Sequence, residues 1–210
     1  MSDKKSIEGK IGYYGLEGWW LNTFTPKERD HIESVFQPMG LSVGFDANSS
    51  SKPLTEGKIH SCSQTITMFL LVLAGWFNNP RNRNIANKII TKANEIGQQN
   101  KDDILGNHFL YSEMISIYYP QRENKLMFDK AVEACKEQID MASEATKAFL
   151  KEYPNQPLPS HKGYEQLAII LDKQRKHKKA ISLCEQANEQ GWAGNWNKRI
   201  DRYDKKLKKH

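Results

Sequence analysis

Two stretches of 31 residues decide the fold of this chain: TMFLLVLAGWFNNPRNRNIANKIITKANEIG at residues 67–97 and HKGYEQLAIILDKQRKHKKAISLCEQANEQG at residues 161–191. At matching positions, large apolar residues pair with large residues and alanine pairs with alanine. The matches are Leu70, Leu73, Ala74, Phe77, Ala86, Ile90 and Ala93 with Tyr164, Leu167, Ala168, Leu171, Ala180, Cys184 and Ala187. Self-similarity at a fixed offset indicates a repeat architecture.

The spacing of the matched positions predicts a helix hairpin in each stretch. The first four positions form one apolar stripe at helical period, and the last three form a second stripe. Breaks at Pro80 and at residues 175–178 favour two antiparallel helices over one continuous coiled-coil rod. Small alanines allow the two backbones to approach closely. One hairpin cannot bury both of its faces, so the sequence predicts an all-α fold of stacked antiparallel hairpins.

Helical periodicity outside the repeats predicts further helices over residues 25–37, 102–119 and 126–153, the last of them as one long helix. Thr25 and Glu28 have the spacing of a capping box at the start of the first of these helices. Residues 41–58 are rich in Ser, Gly, Asn and Pro and predict a loop. A terminal helix is predicted from about residue 195, because an apolar stripe follows at helical spacing: Trp196, Ile200, Tyr203 and Leu207.

These patterns divide the chain into two parts. Residues 1–58 form an aromatic-rich helical segment that we expect to pack on the repeats, and residues 59–210 form the repeat domain. Trp19 and Trp20 are adjacent, so on a helix one of them points to the core and the other covers neighbouring surface.

The large–large–small–aromatic and Ala–large–Ala patterns at residues 67–100 and 161–194 resemble the tetratricopeptide-repeat (TPR) family. The middle of the chain holds a degenerate unit, with an insertion before its second helix and Gln138 at a position where the family has a small residue. Neither clear unit has the family's closing proline. The resemblance implies a short TPR-like α-solenoid with a capping C-terminal helix, and it implies binding of a protein or peptide partner.

The TPR resemblance also implies which residues contact that partner, because the family binds ligands on the first helix of each hairpin. The corresponding positions here are Leu71, Asn78, Asn79, Lys162, Glu165, Ile169 and Lys173. Some family members hold the terminal carboxylates of a peptide with Lys and Asn. Leu71 and Gly75 stand where such a clamp needs those residues, so the clamp is not carried over to this chain.

The net charge of +6 belongs to the carboxyl-terminal quarter of the chain. Residues 161–210 contain 13 Lys and Arg against 6 Asp and Glu, whereas residues 1–160 contain 18 against 19. A basic face of this kind is either solvated or binds polyanions. The candidate polyanion-binding residues are Arg175, Lys176, Lys178, Lys179, Lys198 and Arg202. The alternative function is therefore weak binding of nucleic acid through the basic end.

Candidate chemistry in the sequence is sparse. His60 and Cys62 lack two further ligands at the spacing of a zinc site, and no strand precedes the glycines of residues 12–18 as a phosphate loop requires. We therefore expect no catalytic residue, no metal and no cofactor. A second alternative, an uncharacterised enzyme, would place its pocket between the aromatic segment and the first hairpin, since sites assemble from distant residues.

Cysteine usage and hydropathy predict a cytoplasmic protein without a membrane anchor. The three cysteines are widely spaced, and no CxxC motif occurs. The longest apolar run, residues 68–77, is half as long as the roughly 20 residues that span a bilayer.

Overall fold

The computed structural model describes residues 7–38 and 52–208, and all regular structure in these two ranges is helical. One isolated bridge, between Ser160 and Ala193, is the only β pairing within them. Eleven α-helices occur there: α1 Gly9–Tyr13, α2 Glu17–Thr23, α3 Pro26–Val35, α4 Ile66–Trp76, α5 Arg83–Gln99, α6 Ile104–Tyr118, α7 Lys125–Asp140, α8 Ala142–Glu152, α9 Lys162–Lys173, α10 His177–Glu189 and α11 Trp196–Leu207. A 3-10 turn, Tyr119–Gln121, follows α6. The prediction of an all-α fold is confirmed.

Contacts group the chain into two compact units, residues 1–89 and 90–210, and the division falls inside α5. The predicted boundary at residue 58 marks a change in sequence pattern and stays a prediction. Residues 41–51 of the predicted loop lie outside the described ranges, and residues 52–58 contain turns. None of the helices in the described ranges is both long and apolar enough to cross a bilayer.

In the first unit, the aromatic residues of the amino-terminal segment contact Phe69 on α4. The ring of Tyr14 stacks on Phe69 with centroids 5.2 Å apart, and the ring of Phe36 lies 6.5 Å from Phe69 and 5.4 Å from Trp76. Trp20 is buried and Trp19 is half-buried, as expected for adjacent helical residues. The segment therefore supplies part of the core against which α4 lies.

The matched positions of the two 31-residue stretches lie on buried faces of α4 and α5, and of α9 and α10. All seven matched residues of the first stretch have no exposed surface. In the second stretch five of the seven are fully buried, and Leu167 and Leu171 are partly buried. The stripes that predicted the helices are thus the faces that form the core.

In the second unit, helices pack against neighbouring helices, as in a helical solenoid. The pairs in contact include α6 with α7 and α8, α7 with α9, α9 with α10, and α10 with α11. The terminal helix is confirmed, because Trp196 and Tyr203 are 2% and 0% exposed and belong to the core that α9 and α10 build. α11 therefore covers the end of this stack.

The prediction of one long helix over residues 126–153 is wrong, because the helix breaks at Met141 into α7 and α8. The sequence has neither Gly nor Pro at this point, so local propensity does not explain the break. Tertiary contacts of α8 explain why the helix breaks here. α8 packs on α6, and Phe149 of α8 lies 5.2 Å from the ring of His108 and 5.8 Å from the ring of Trp192.

Gln138 is the polar residue that joins three helices of the second unit. Its Nε2 donates to the carbonyl of His108 on α6 at 2.9 Å, and its Oε1 accepts from the backbone N–H of Gly163 on α9 at 2.7 Å. A Cβ at Gly163 would lie 2.8 Å from the carbonyl oxygen of Cys135, so only glycine allows this approach of α9 to α7. Gln138 is thus a buried bridge, although the resemblance of the sequence to the TPR pattern implied only a degenerate repeat at this position.

Two histidines lie inside the aromatic core beside Gln138. His108 and His161 are 2% and 0% exposed, and their ring centroids are 5.1 Å apart. Trp192 stacks on His108 at 5.3 Å. Burial lowers the pKa of His108 to about 4, and burial together with the neighbouring His108 lowers the pKa of His161 to about 3. Both rings are therefore neutral at physiological pH.

The three cysteines are free thiols in unlike surroundings. Cys135 and Cys184 have no exposed surface, and burial raises their pKa values to about 12 and 11. Cys62 is half-buried in the first unit, where the Lys10 ammonium and the Tyr14 hydroxyl donate to Sγ at 3.1 Å and 3.3 Å. Burial alone would raise the pKa of Cys62, but these two donors outweigh it and lower the pKa.

The first prediction concerns Ala180, which is fully buried in the core shared by α9, α10 and α11. Ala180→Leu inserts carbons where no space exists, and we expect the free energy of unfolding to fall by about 1–3 kcal/mol. Urea denaturation followed by circular dichroism measures this. The control is Lys178→Leu on the exposed face of the same helix, which should change stability by less than about 0.5 kcal/mol. Equal midpoints for Ala180→Leu and the natural chain would contradict the close contact.

A second prediction follows from the buried histidines. Unfolding exposes both rings to water, where their pKa returns to about 6.5, so the unfolded chain binds more protons below that pH. The free energy of unfolding should therefore fall as the pH drops from about 6.5 to about 4, by several kcal/mol for the two rings together. His108→Phe keeps the ring that stacks on Trp192 and should flatten this pH dependence. Parallel stability curves for the variant and the natural chain would show that His108 does not carry the effect.

Candidate functional site

A groove with a strongly basic lining runs between α9 and α11 in the second unit. Its cavity measures about 580 Å³ and is lined by Ile169, Asp172, Lys173, Asn195, Lys198, Arg199, Arg202 and Lys206. Five of these side chains are cationic and one is anionic. We call this cavity the basic groove.

The buried faces of the two helices determine which residues line the basic groove. On α9, Tyr164 and Ala168 point into the core, which leaves Ile169 and Lys173 on another side of the helix. On α11, Trp196 and Tyr203 are held in the same core, and the Trp196 indole N–H donates to the carbonyl of Trp192 at 2.6 Å.

The cations of α11 share one face of that helix. Residues spaced by four lie above one another on an α-helix, and Lys198, Arg202 and Lys206 have this spacing. All three line the basic groove.

Two ion pairs connect α11 to α9 across the basic groove. Lys206 Nζ lies 2.8 Å and 2.7 Å from the two carboxylate oxygens of Asp172, and Arg199 lies 3.7 Å from Glu165. Nδ1 of the buried His177 also lies 3.2 Å from an Asp172 carboxylate oxygen. The single carboxylate of the groove is thus already occupied by residues of the chain.

The other three cations of the groove form no ion pair within residues 7–38 and 52–208. Lys173 donates to the Tyr119 hydroxyl at 3.2 Å, and Arg202 donates to the Tyr203 hydroxyl at 2.9 Å with its guanidinium 4.8 Å from that ring. The side chain of Lys198 is exposed. Neutral partners leave the positive charge of these groups uncompensated, so the groove attracts anions.

The structure brings together members of both predicted residue sets. Ile169 and Lys173 were predicted to contact a partner, Lys198 and Arg202 to bind polyanions, and all four line the basic groove. Two further predicted contacts lie on the same helix as Lys173. Lys162 is exposed and donates to the Ser116 hydroxyl at 2.7 Å, and Glu165 pairs with Arg199.

The remaining candidate polyanion residues lie apart from the basic groove. Arg175 adopts a left-handed conformation with φ 58° in the turn after α9, and Lys178 is exposed on α10. Lys176 and Lys179 line a different cavity of about 860 Å³ between α7, α9 and α10. The six predicted cations therefore do not line one cavity.

The predicted partner contacts near α4 belong to the first unit. Leu71 is only 6% exposed, which leaves little of it for a partner to contact. Asn78 and Asn79 are half-buried in the turn after α4, where Asn79 Oδ1 accepts from the backbone N–H groups of Arg81 and Asn82 at 3.2 Å.

Sequence reasoning did not find the contribution of Tyr119 to the surroundings of Lys173. The Tyr119 ring lies between two cations, with Arg122 at 5.1 Å and Lys173 at 5.8 Å from its centroid. Tyr119 and Lys173 are far apart in the sequence, and no local pattern links them. The i, i+4 spacing of Lys198, Arg202 and Lys206 on α11 is the local pattern that indicates a shared basic face.

No group of three or more His, Cys, Asp or Glu side chains among the described residues is placed to hold a metal ion. In the His60–Cys62 pair, the Cys62 thiol accepts hydrogen bonds from Lys10 and Tyr14.

Another large cavity of the second unit is acidic. It measures about 590 Å³ between α5, α6, α7 and α8, and four of the residues that line it are Glu133, Glu137, Asp140 and Glu144. Burial, together with Glu137 and Glu133, raises the pKa of Tyr111 beside these carboxylates. This acidic cavity and the basic groove thus differ in the sign of their charge.

Comparison of the chain with protein-family models, curated proteins and solved structures finds no match.

Proposed function

We propose that this chain is a TPR-type protein-interaction module that binds an acidic segment of a partner protein in the basic groove and carries out no catalysis. The observation that carries the proposal is the convergence of five cations with one already paired carboxylate in a single cavity. An extended acidic peptide carries a carboxylate on each successive residue, so several carboxylates can face the cations of the groove at once. Long-range attraction between such charges speeds association and favours acidic over basic partners.

Packing of the helices supports binding without a large structural change. α9 and α11 share a core of fully buried aromatic and alanine residues, and ion pairs connect them at the groove. A groove whose walls are already held in place loses little conformational freedom when a ligand binds. We further propose that the protein works in the cytoplasm, where its three free thiols stay reduced.

Nucleic acid is the competing ligand, and the aromatic residues of α11 argue against it. Proteins that bind single strands stack bases on exposed aromatic rings. Trp196 and Tyr203 are 2% and 0% exposed, so neither ring is available for stacking. Phosphate contacts alone would give weak binding that depends steeply on salt, with a dissociation constant on the order of 10⁻⁴ to 10⁻⁶ M.

The third prediction tests the groove by charge reversal. Lys198→Glu with Arg202→Glu should weaken binding of a fluorescein-labelled oligo-glutamate peptide by about ten- to thirtyfold, because each exposed ion pair is worth up to about 1 kcal/mol. Fluorescence polarisation at low and physiological salt measures the dissociation constants. The matched control is Lys147→Glu with Lys151→Glu, two exposed lysines on α8 of the same unit.

Both double variants change the net charge equally, so the control separates a site from general attraction. Equal losses in the two variants would refute a groove-specific site. Labelled single- and double-stranded oligonucleotides are titrated alongside the peptide. Oligonucleotide binding that is tighter than peptide binding and survives high salt would support the nucleic-acid alternative instead.

A further inference from the structure

A small pocket adjoins the basic groove at the carboxyl end of α9. It has a volume of about 280 Å³ and is lined by Tyr119, Arg122, Phe128, Ile170, Lys173 and Gln174. Lys173 lines both this pocket and the basic groove, so the two cavities share that side chain. Cavities for whole small-molecule ligands usually measure about 300–1,000 Å³, so this one has the size for a single side chain.

The walls of the pocket are apolar and its rim is cationic. Ile170 is 3% exposed, and the rings of Phe128 and Tyr119 are half-buried. Arg122 and Lys173 both lie against the Tyr119 ring, and the hydrogen bond from Lys173 to the Tyr119 hydroxyl further fixes that ring. A rigid apolar pocket with two cations at its edge fits an apolar side chain whose neighbours in sequence are carboxylates.

We propose that this pocket binds one large aromatic side chain of the acidic ligand, which anchors the ligand while its carboxylates occupy the basic groove. The proposal rests on the proposed function, because the same ligand must reach both cavities. The shared Lys173 side chain and the cationic rim favour an apolar side chain flanked by carboxylates as the occupant. Aromatic side chains in well-packed pockets commonly provide most of the binding energy at protein interfaces.

The fourth prediction compares four labelled peptides: oligo-glutamate, oligo-glutamate with one Trp at its amino end, oligo-glutamate with one Trp at its carboxyl end, and a Ser-rich peptide with one Trp. With the natural chain, Trp at one of the two ends should tighten binding of the glutamate peptide by at least about tenfold, as expected for one buried anchor. The Ser-rich peptide should bind more weakly than any of the acidic peptides. Fluorescence polarisation gives the four dissociation constants.

Gln174→Trp tests the pocket itself. Gln174 is exposed at the end of α9, so a Trp side chain there can fill the pocket without removal of any core atom. The variant should bind oligo-glutamate as the natural chain does and should lose the gain from the Trp-containing peptide. Gln186→Trp, an equally exposed position on α10 outside both cavities, is the control and should keep that gain. Thermal melting checks that both variants fold.

The outcomes separate the anchor from the groove. If oligo-glutamate binds but Trp adds nothing at either end, or if Gln174→Trp keeps the full gain, the anchor pocket is refuted and the proposed function stands. If the Ser-rich peptide with Trp binds as tightly as the acidic peptide with Trp, the coupling of the two cavities is refuted. If no peptide binds, the proposed function fails and the anchor fails with it.

Discussion

The second unit depends on one buried carboxamide. Gln138 accepts from the Gly163 N–H and donates to the His108 carbonyl, so it satisfies two buried backbone groups. A buried polar group without a partner costs about 1–3 kcal/mol, so the loss of either hydrogen bond would destabilise the fold. Because Gly163 lies in the first turn of α9, the carboxamide fixes where that helix starts relative to α6 and α7.

A chain of contacts that begins beside Gly163 sets the position of the basic groove. The Tyr164 ring, one residue after Gly163, lies 6.4 Å from the ring of Trp196 at the start of α11. Trp196 is held in turn by its hydrogen bond to the carbonyl of Trp192. The two helices that carry the cations are therefore placed by a core that contains none of them. A binding surface on such a scaffold can change its charges while the fold is kept.

The sequence was informative where one helix alone carries the pattern. Ala180 and Ala187 repeat the alanines of the first stretch and are buried, and Trp196 and Tyr203 lie at helical spacing and close the core. Periodicity failed at Met141, because the end of α7 is determined by the packing of α8 on α6, and nothing in the local sequence records that contact.

The candidate site shows the same limit. Lys198 and Arg202 were predictable as one basic face, since they are a helical turn apart on the same helix. Their meeting with Lys173 was not, because it depends on how α11 packs beside α9. Lys176 is only three residues from Lys173 and yet faces another cavity. The left-handed turn at Arg175 separates the two side chains, and a count of charges along the chain does not detect such a turn.

The contrast among the thiols gives the protein a built-in reporter of local opening. Cys62 is half-buried and has a lowered pKa, so we expect a thiolate-selective reagent to modify it in the native protein. Cys135 and Cys184 lie in the core of the second unit and react only when that unit opens. A time course of modification, followed by mass spectrometry, should therefore show one thiol that reacts fast and two that react slowly. The rate of the slow pair measures how often the second unit opens, without any label or mutation.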